Sequence, residues 1–467
     1  MPEDADTLLT SQTFRTLVVL TIAAMMPAGC RRASHQPPPP ILLVTFDTLR
    51  ADHCSAYGYG RPTTPTLERL ARKGVLFETA YAPMATTTPS HATMLTGLLP
   101  REHGLVRNGE ALPPGQRILA EVLELAGYRT AAFVSSFALD HRFGLARGFE
   151  TYDDDFGPAM VARTEPWEGH RVEQAFDRTA DKTCRRALDW LGAQGYLGPP
   201  VPGRRPFFLW VHFFDPHDPY RPPEAHAALF PPLGPKPSEL DRQIAHYDGE
   251  IHFADAELGR LLDELDHFGL LAQTMTIVAG DHGEGLMQHG HMGHGLMIYE
   301  EAVRVPLVVH WPRALPGPRR VAGPVQLLDI TPTVLDLLGK PLDTLGHARS
   351  LAPILRGRDS PDPAREVFLQ RRRYETETVG TVHVKGEKTA VRQGRWKYIE
   401  APEEGTHELY DLAADPHELL NLYGPSVAEA SLLAGKLQAW RQSVAPPPVL
   451  SVSEEDARRL RSLGYVQ

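Results

Sequence analysis

Three separated stretches hold side chains able to do chemistry together. Asp47 follows the apolar run Ile41–Phe46, and Asp281-His282 follows Thr274–Ala279 after a single glycine. Asp, Asp and His form an ordinary ligand set for a hard or borderline divalent cation. One Asp after a strand is commonly a helix cap or a turn former. Here that bland reading would have to hold at two strand ends at once. Residues 281–294 pack His282, His289, His291 and His294 among glycines, which let a backbone approach an anion closely. Histidines in such a loop can ligate a metal or donate to oxyanions; a solvent-exposed loop that binds nothing is the alternative. The third stretch is Thr86-Thr-Thr-Pro-Ser-His91. It reads as a turn feeding a helix, with Ser90 as the cap and free N–H groups facing an anion. A hydroxyl at that place can be activated by a metal and act as a nucleophile.

The elements that must position these groups follow from patterning. Residues 41–46, 207–214, 274–279 and 305–311 are nearly continuous apolar runs, as expected of strands buried on both faces. Helical patterns separate them. Residues 66–73 and 118–126 each end at a glycine, a C-cap signal, and residues 247–265 carry apolar side chains at helical spacing. Alternation of strand and helix predicts an α/β fold, a sheet covered by helices, with ligands at the carboxyl ends of the strands. The texture changes after Pro361: residues 389–392 and 396–400 read as short half-exposed strands and 432–440 as one helix. The expected organisation is a signal segment (1–30), a proline-rich tether (31–40), a catalytic domain (41–360), a smaller C-terminal subdomain (361–445) and an extended tail (446–467).

Composition narrows the function classes. The 467 residues carry a formal net charge of −10, which gives no electrostatic footprint for nucleic acid. Three cysteines exclude a disulfide scaffold or a cysteine zinc cluster; Cys54 and Cys184 are expected to be buried thiols, with their pairing left open by the sequence. Near the N-terminus, Thr16–Met26 is an apolar run too short to span a bilayer but right for a signal-peptide core. Small residues precede Cys30, as at a bacterial lipoprotein cleavage site. The expectation is an exported protein of the cell envelope, held at the membrane only through a lipid on Cys30. A plain secretory signal or a cytosolic amphipathic tail are the alternatives.

Several motifs in order resemble the sulfatase family of the alkaline-phosphatase superfamily: Val44-Thr-Phe-Asp-Thr-Leu-Arg-Ala-Asp52, Gly104–Gly109, Phe214-Asp-Pro-His-Asp-Pro-Tyr220, Tyr247-Asp-Gly-Glu-Ile251, Tyr299–Pro306 and Glu408-Leu-Tyr-Asp-Leu412. The resemblance spans nearly everything from Ile41 on. It implies a large mixed, mostly parallel sheet sandwiched by helices, with a smaller C-terminal α+β subdomain. Family sulfatases have a Cys or Ser, oxidised to formylglycine, followed by x-Pro-Ser-Arg. Here Thr87 holds that position and His91 replaces the Arg. A secondary alcohol cannot give the same aldehyde, so no formylglycine is expected. Many sulfatases carry two adjacent Asp and an Asp-Asn; here they are Asp47-Thr48 and Asp281-His282, closer to superfamily members acting on phosphodiesters, phosphonates or phosphoglycerol lipids.

The resemblance implies one divalent cation (manganese, zinc, magnesium or calcium) held by Asp47, Thr87, Asp281 and His282. It implies Thr87, His217 and His294 as catalytic groups, and Asn108 and His91 at the substrate. Ser135 and Phe137 stand where many sulfatases have Lys and His, so those two roles do not carry over. His212, His289 and His291 are weaker candidates, a second cation among them being open, and Lys397 is read as part of the C-terminal sheet. The implied activity is hydrolysis of a phosphoric, phosphonic or sulfuric ester of a small molecule, glycan or lipid. The alternatives are an arylsulfatase-like enzyme, an envelope head-group transferase, and an inactive metal-stabilised binding protein. Lipidation is checked by radioactive palmitate: the wild type is expected to incorporate label in its bacterial host and Cys30→Ala to lose it, whereas equal labelling of the two removes the anchor.

Overall fold

The computed structural model describes residues 38–157, 168, 170, 176–340, 346–379, 382–424 and 427–444. The signal segment, Cys30, most of the tether and the tail lie outside the described residues. In chain order the strands are β1 (Ile41–Phe46), β2 (Val75–Tyr81), β3 (Arg129–Phe133), β4 (Thr151–Asp153), β5 (Phe207–Phe213), β6 (Met275–Gly280), β7 (Gly285–Leu286), β8 (Met292–Gly293), β9 (Arg304–His310), β10 (Arg319–Gln326), β11 (Val367–Val379), β12 (Val382–Gln393), β13 (Trp396–Ala401) and β14 (Thr406–Asp411). Eight form the main sheet, ordered β10-β2-β9-β6-β1-β5-β3-β4. Only β9 runs against its neighbours. The sheet is therefore mixed but mostly parallel. A fully apolar run such as 305–309 reports burial on both faces, not strand direction, so β9 could not be told from the rest by pattern.

Side-chain alternation divides the core into two layers. Ile41, Leu43, Phe208, Trp210 and Ile277 face one side, under the helix Thr87–Thr96 and the helices Leu119–Leu125 and Ile330–Leu337. Leu42, Val44, Phe46, Leu209, Val211 and Val278 face the other, under Pro65–Ala71, Ala180–Ala193 and Glu239–His267. The last helix starts eight residues before its expected position. Ser238 caps it, accepting the Asp241 N–H, while the Asp241 side chain accepts from Ser238 N–H. Cys54 and Cys184 are buried free thiols.

The C-terminal part is an antiparallel sheet, β11-β12-β13-β14, longer in its first two strands than the sequence pattern indicated. The helix Ala428–Ser443 covers one face through Leu433, Leu437 and Trp440. The opposite face packs Val367, Leu369, Ala390 and Ile399 on Tyr81, Ile298, Ala302 and Val303. Two buried ionic clusters fasten this sheet. Lys397 on β13 meets Glu300 at 3.2 Å and Glu418 at 2.9 Å. Arg365 donates two hydrogen bonds to Asp329, which also accepts the N–H groups of Gln326 and Arg349. Removing one partner of a buried pair leaves an uncompensated charge. Asp329→Ala is expected to cost about 3–5 kcal/mol, measured by urea unfolding; a loss below about 1 kcal/mol would mean that the pair is not buried as described.

Candidate active site

The central strand β1 lies between β6 and β5, with Phe46 paired to Gly280 on one side and Phe213 on the other. The chain leaves β1 for β2 on one flank and later β3 on the other, a switch point where open sheets bind ligands. Backbone bonds tie the strand ends together: Asp47 N–H donates to Phe213 O and Asp281 N–H to Phe46 O. Thr48 then takes φ of +51°, a left-handed conformation unusual for a β-branched residue. It is held there because its N–H donates to Asp281 Oδ1 and its carbonyl accepts from the Tyr247 hydroxyl. Strain of this kind costs roughly 1–3 kcal/mol and gathers at functional sites. The following loop is pinned at Gly283, where a Cβ would lie 2.0 Å from Glu301 O.

These constraints bring Asp47, Asp281 and His282 together, with one ligand atom of each within 4.8 Å of the others. All three are fully buried. Both Asp47 oxygens and Asp281 Oδ2 have no hydrogen-bond partner among the described residues. His282 Nδ1–H donates to Gly283 O at 2.9 Å, so Nε2 keeps its lone pair. That nitrogen lies 3.6 Å from Asp47 Oδ1 and from Asp281 Oδ2, and 3.4 Å from Thr87 Oγ1. Burial and the neighbouring His294 push His282 down to about 4, which keeps it neutral. Burial and the charge of Asp47 push Asp281 well above the usual carboxylate range. Burial also opposes the Asp47 charge, but the approach of His212 at 3.6 Å and the surrounding imidazoles hold it below the usual carboxylate range. Unpaired buried carboxylates are costly. Two of them facing a bare imidazole nitrogen and a hydroxyl fit one divalent cation.

Thr87 opens the helix Thr87–Thr96, with Thr86 as its N-cap. Ser90 is therefore not the cap: the helix begins three residues earlier, and the Ser90 hydroxyl instead donates to Asp281 O at 2.6 Å. The expected anion cradle of helix N–H groups is also reduced, because Thr88 N–H is taken by Asn108 Oδ1 and Pro89 has none. Asn108 is half-buried, and its amide nitrogen has no partner among the described residues, so it can donate to a substrate. His91, expected at the substrate, is buried beneath this helix. Its Nδ1 faces Thr87 O at 2.8 Å and its Nε2 faces Thr45 Oγ1 at 3.0 Å, so neither nitrogen is presented to a ligand.

His294 and His217 stand beside the three buried ligands. The His294 ring lies 4.6 Å from that of His282 and 5.0 Å from that of His217, which stacks on Phe214. His294 Nδ1–H donates to the buried Glu284, leaving Nε2 available. Burial works against an imidazolium here, but the Glu284 charge and hydrogen bond raise His294 above its ordinary value. His289 is turned away, bonded to Glu301 and to Glu418 O. His291 is buried, and neither ring nitrogen has a hydrogen-bond partner among the described residues.

Three supporting groups complete the site; His212 stood only as a weaker candidate in the sequence, and Glu284 and Arg50 had no clear signal there. His212 Nδ1 accepts the Ser135 N–H, so its Nε2–H points to Asp47 Oδ2, 3.6 Å away. Glu284 accepts from both His294 and the Tyr220 hydroxyl. Arg50 donates through its guanidinium to the carbonyl of Glu284 and through its backbone N–H to Tyr247 Oη. The available hint was the same for Thr45 and His212: an isolated polar residue inside an otherwise apolar strand. Cation binding has a readout in stability. Manganese at about 100 times its Kd is expected to stabilise the wild type by about 2.7 kcal/mol. Asp47→Asn should lose that response while the metal-free protein melts no lower, since a buried unpaired charge is gone; an undiminished response in the variant would exclude Asp47 as a ligand.

The chain matches the Sulfatase family model over residues 39–340 and the model described as N-sulphoglucosamine sulphohydrolase, C-terminal, over residues 288–442. It is 23% identical to an N-acetylglucosamine-6-O-sulfatase of Bacteroides thetaiotaomicron, with 87% of each chain covered. It is 26% identical to a choline-sulfatase of Rhizobium meliloti, with 77% of each covered. Among solved structures it resembles an enzyme in complex with its substrate D-glucosamine-2-N,6-O-disulfate (TM-score 0.71, 20% identity, 88% of this chain and 100% of that one). It also resembles the phosphonate monoester hydrolase of Agrobacterium radiobacter (TM-score 0.68, 23% identity, 89% and 98%). With its family model covering well over half of its length, the chain belongs to the sulfatase family and is an ester hydrolase of the alkaline-phosphatase-like fold.

Proposed function

We propose that the protein is a divalent-metal-dependent hydrolase of phosphoric, phosphonic or sulfuric esters that uses the unmodified hydroxyl of Thr87 as its nucleophile. The observation that carries this reading is the position of Thr87 Oγ1, 3.4 Å from His282 Nε2 in the cluster that includes the unpaired carboxylates of Asp47 and Asp281. The β-methyl of Thr87 supports the absence of formylglycine, because oxidation at Cβ would give a ketone. A cation held by Asp47, Asp281, His282 and Thr87 would lower the pKa of the hydroxyl and polarise a substrate oxygen.

Thr87 Oγ1 attacks phosphorus or sulfur in line, and the bond to the leaving alkoxide breaks. Nε2 of His294, with its ring fixed by Glu284, gives that alkoxide a proton, and His217 beside it helps hold the equatorial oxygens. General acid help of this kind is worth roughly 10²–10⁴-fold. The Asn108 amide donates to a non-bridging oxygen. Water then attacks the Thr87 ester at phosphorus or sulfur, releasing the anion and restoring the hydroxyl. The sulfuric-ester reading rests on the named sulfatases among the relatives, and the phosphonate reading on the likeness to phosphonate monoester hydrolases. Substrates that are small molecules or glycans agree with the sulfated glucosamine bound by a neighbour. Export and a lipid anchor at Cys30 belong to the same proposal.

A panel of aryl sulfate, phosphate monoester, phosphodiester and phosphonate substrates, each with manganese, zinc, magnesium and calcium, identifies the preferred class. On the best substrate Thr87→Ala is expected to lose about 10³-fold or more in kcat, and full metal-dependent turnover by that variant would refute the assignment.

A further inference from the structure

We infer that His91 is a positioning residue for Thr87, held as a one-way donor by a hydrogen-bond relay running Trp210 to Thr45 to His91 to Thr87. The inference rests on the reading of Thr87 as nucleophile, and its structural part can be tested without it.

The direction of the relay follows from what each group can do. The indole N–H of Trp210 can only donate, and it lies 3.0 Å from Thr45 Oγ1. Thr45 Oγ1 is thus an acceptor on that side. Its one proton goes to its other neighbour, His91 Nε2, also at 3.0 Å. The direction is fixed at the far end: the Thr87 carbonyl facing Nδ1 can only accept, so in the neutral ring the proton sits on Nδ1, and Nε2 carries the lone pair that takes the Thr45 proton. That proton faces the carbonyl of Thr87 at 2.8 Å. All four residues are buried: Trp210, Thr45, His91 and Thr87 are each at most 2% exposed, so water cannot substitute for a missing partner. The strand register makes the relay possible. Thr45 on β1 pairs with His212 of β5, and Trp210, which pairs with Leu43, stands two residues back along β5. The His91 ring fills the space between Trp210 and His212, at 5.3 Å and 5.0 Å between ring centroids.

The relay has two effects. It anchors the first turn of the helix from below, which fixes the residue that carries the attacking oxygen. It also removes His91 from the ligands available to a cation. His91, His212 and Asp281 lie close enough to suggest a further metal site. A cation there would have to displace the proton on Nδ1 or the hydroxyl on Nε2, and His212 Nδ1 is already occupied by Ser135 N–H.

The test uses the full chain labelled with ¹⁵N-histidine, with the His91 ring assigned by the signal lost in His91→Gln. The wild type should show His91 in the Nδ1–H tautomer. An Nε2–H tautomer, or exchange between the two, overturns the relay whatever Thr87 does. Kinetics test the positioning role. His91→Asn, whose amide nitrogen stands near Nδ1, should retain more activity than His91→Gln. Thr45→Val should lower kcat about tenfold, near the upper worth of one buried hydrogen bond, at little change in KM, and Thr45→Ser should restore it. Equal kcat for Thr45→Val and wild type, or failure of Thr45→Ser to rescue a folded variant, overturns the role. Should Thr87→Ala keep its turnover while the tautomer is as stated, it is the nucleophile reading that fails and not the relay.

Discussion

Two carboxylates buried side by side without enough partners are the constraint around which the rest is arranged. Asp47 and Asp281 leave the ends of adjacent parallel strands, and the backbone bonds that tie those strand ends together leave their side chains no way apart. The buried Asp329 and Lys397, by contrast, are matched, the first by Arg365 and the second by two glutamates. Here the compensation is partial: an N–H from Thr48, another from His282, and the approach of His212. A pair left so incomplete in a closed interior marks a place built for a positive charge that the chain does not itself provide.

The surroundings divide into layers by distance from that pair. His282 presents a lone pair because Gly283 O holds its other nitrogen, and His294 presents a free Nε2 because Glu284 holds Nδ1. Such outer partners set the tautomer and the ring orientation of groups that touch a ligand. Tyr247, on the long helix of the opposite layer, reaches across to fix the strained Thr48. The helix of one layer contributes Thr87, and the helix of the other contributes the support for the turn beneath it. The two meet at the carboxyl end of β1.

Much of this was legible in the chain. Asp47 and Asp281-His282 stand out because polar residues directly after buried strands have few structural reasons to be there in pairs. Thr87 and Asn108 could be placed only through the resemblance to a family, since Thr-Thr-Thr-Pro can start a helix at several points. Proline is tolerated in a first turn, and the helix begins at Thr87 and not after Ser90. His91 looked like a substrate contact because the family pattern it resembles has an Arg there, yet a shorter ring reaches Thr45 and stays inside. Thr45, Trp210 and His212 meet through pairing between strands more than 160 residues apart, which no local pattern encodes. Glu284 lay in plain view between two histidines, but its role depends on how β7 and β8 fold the loop back toward Tyr220.

Lys397 has a bearing on how such a chain can change over time. Its ammonium group is sealed between Glu300, which belongs to the stretch leading out of the histidine loop, and Glu418, beyond the last strand of the second sheet. A gene fragment that stopped after the first sheet would keep the glutamate and lose its base, directly behind the segment that carries His282 and His294. Exchange of C-terminal halves between relatives must therefore transfer a matching cation at this point, and recombinants that do not will be lost at folding before their chemistry is ever put to selection.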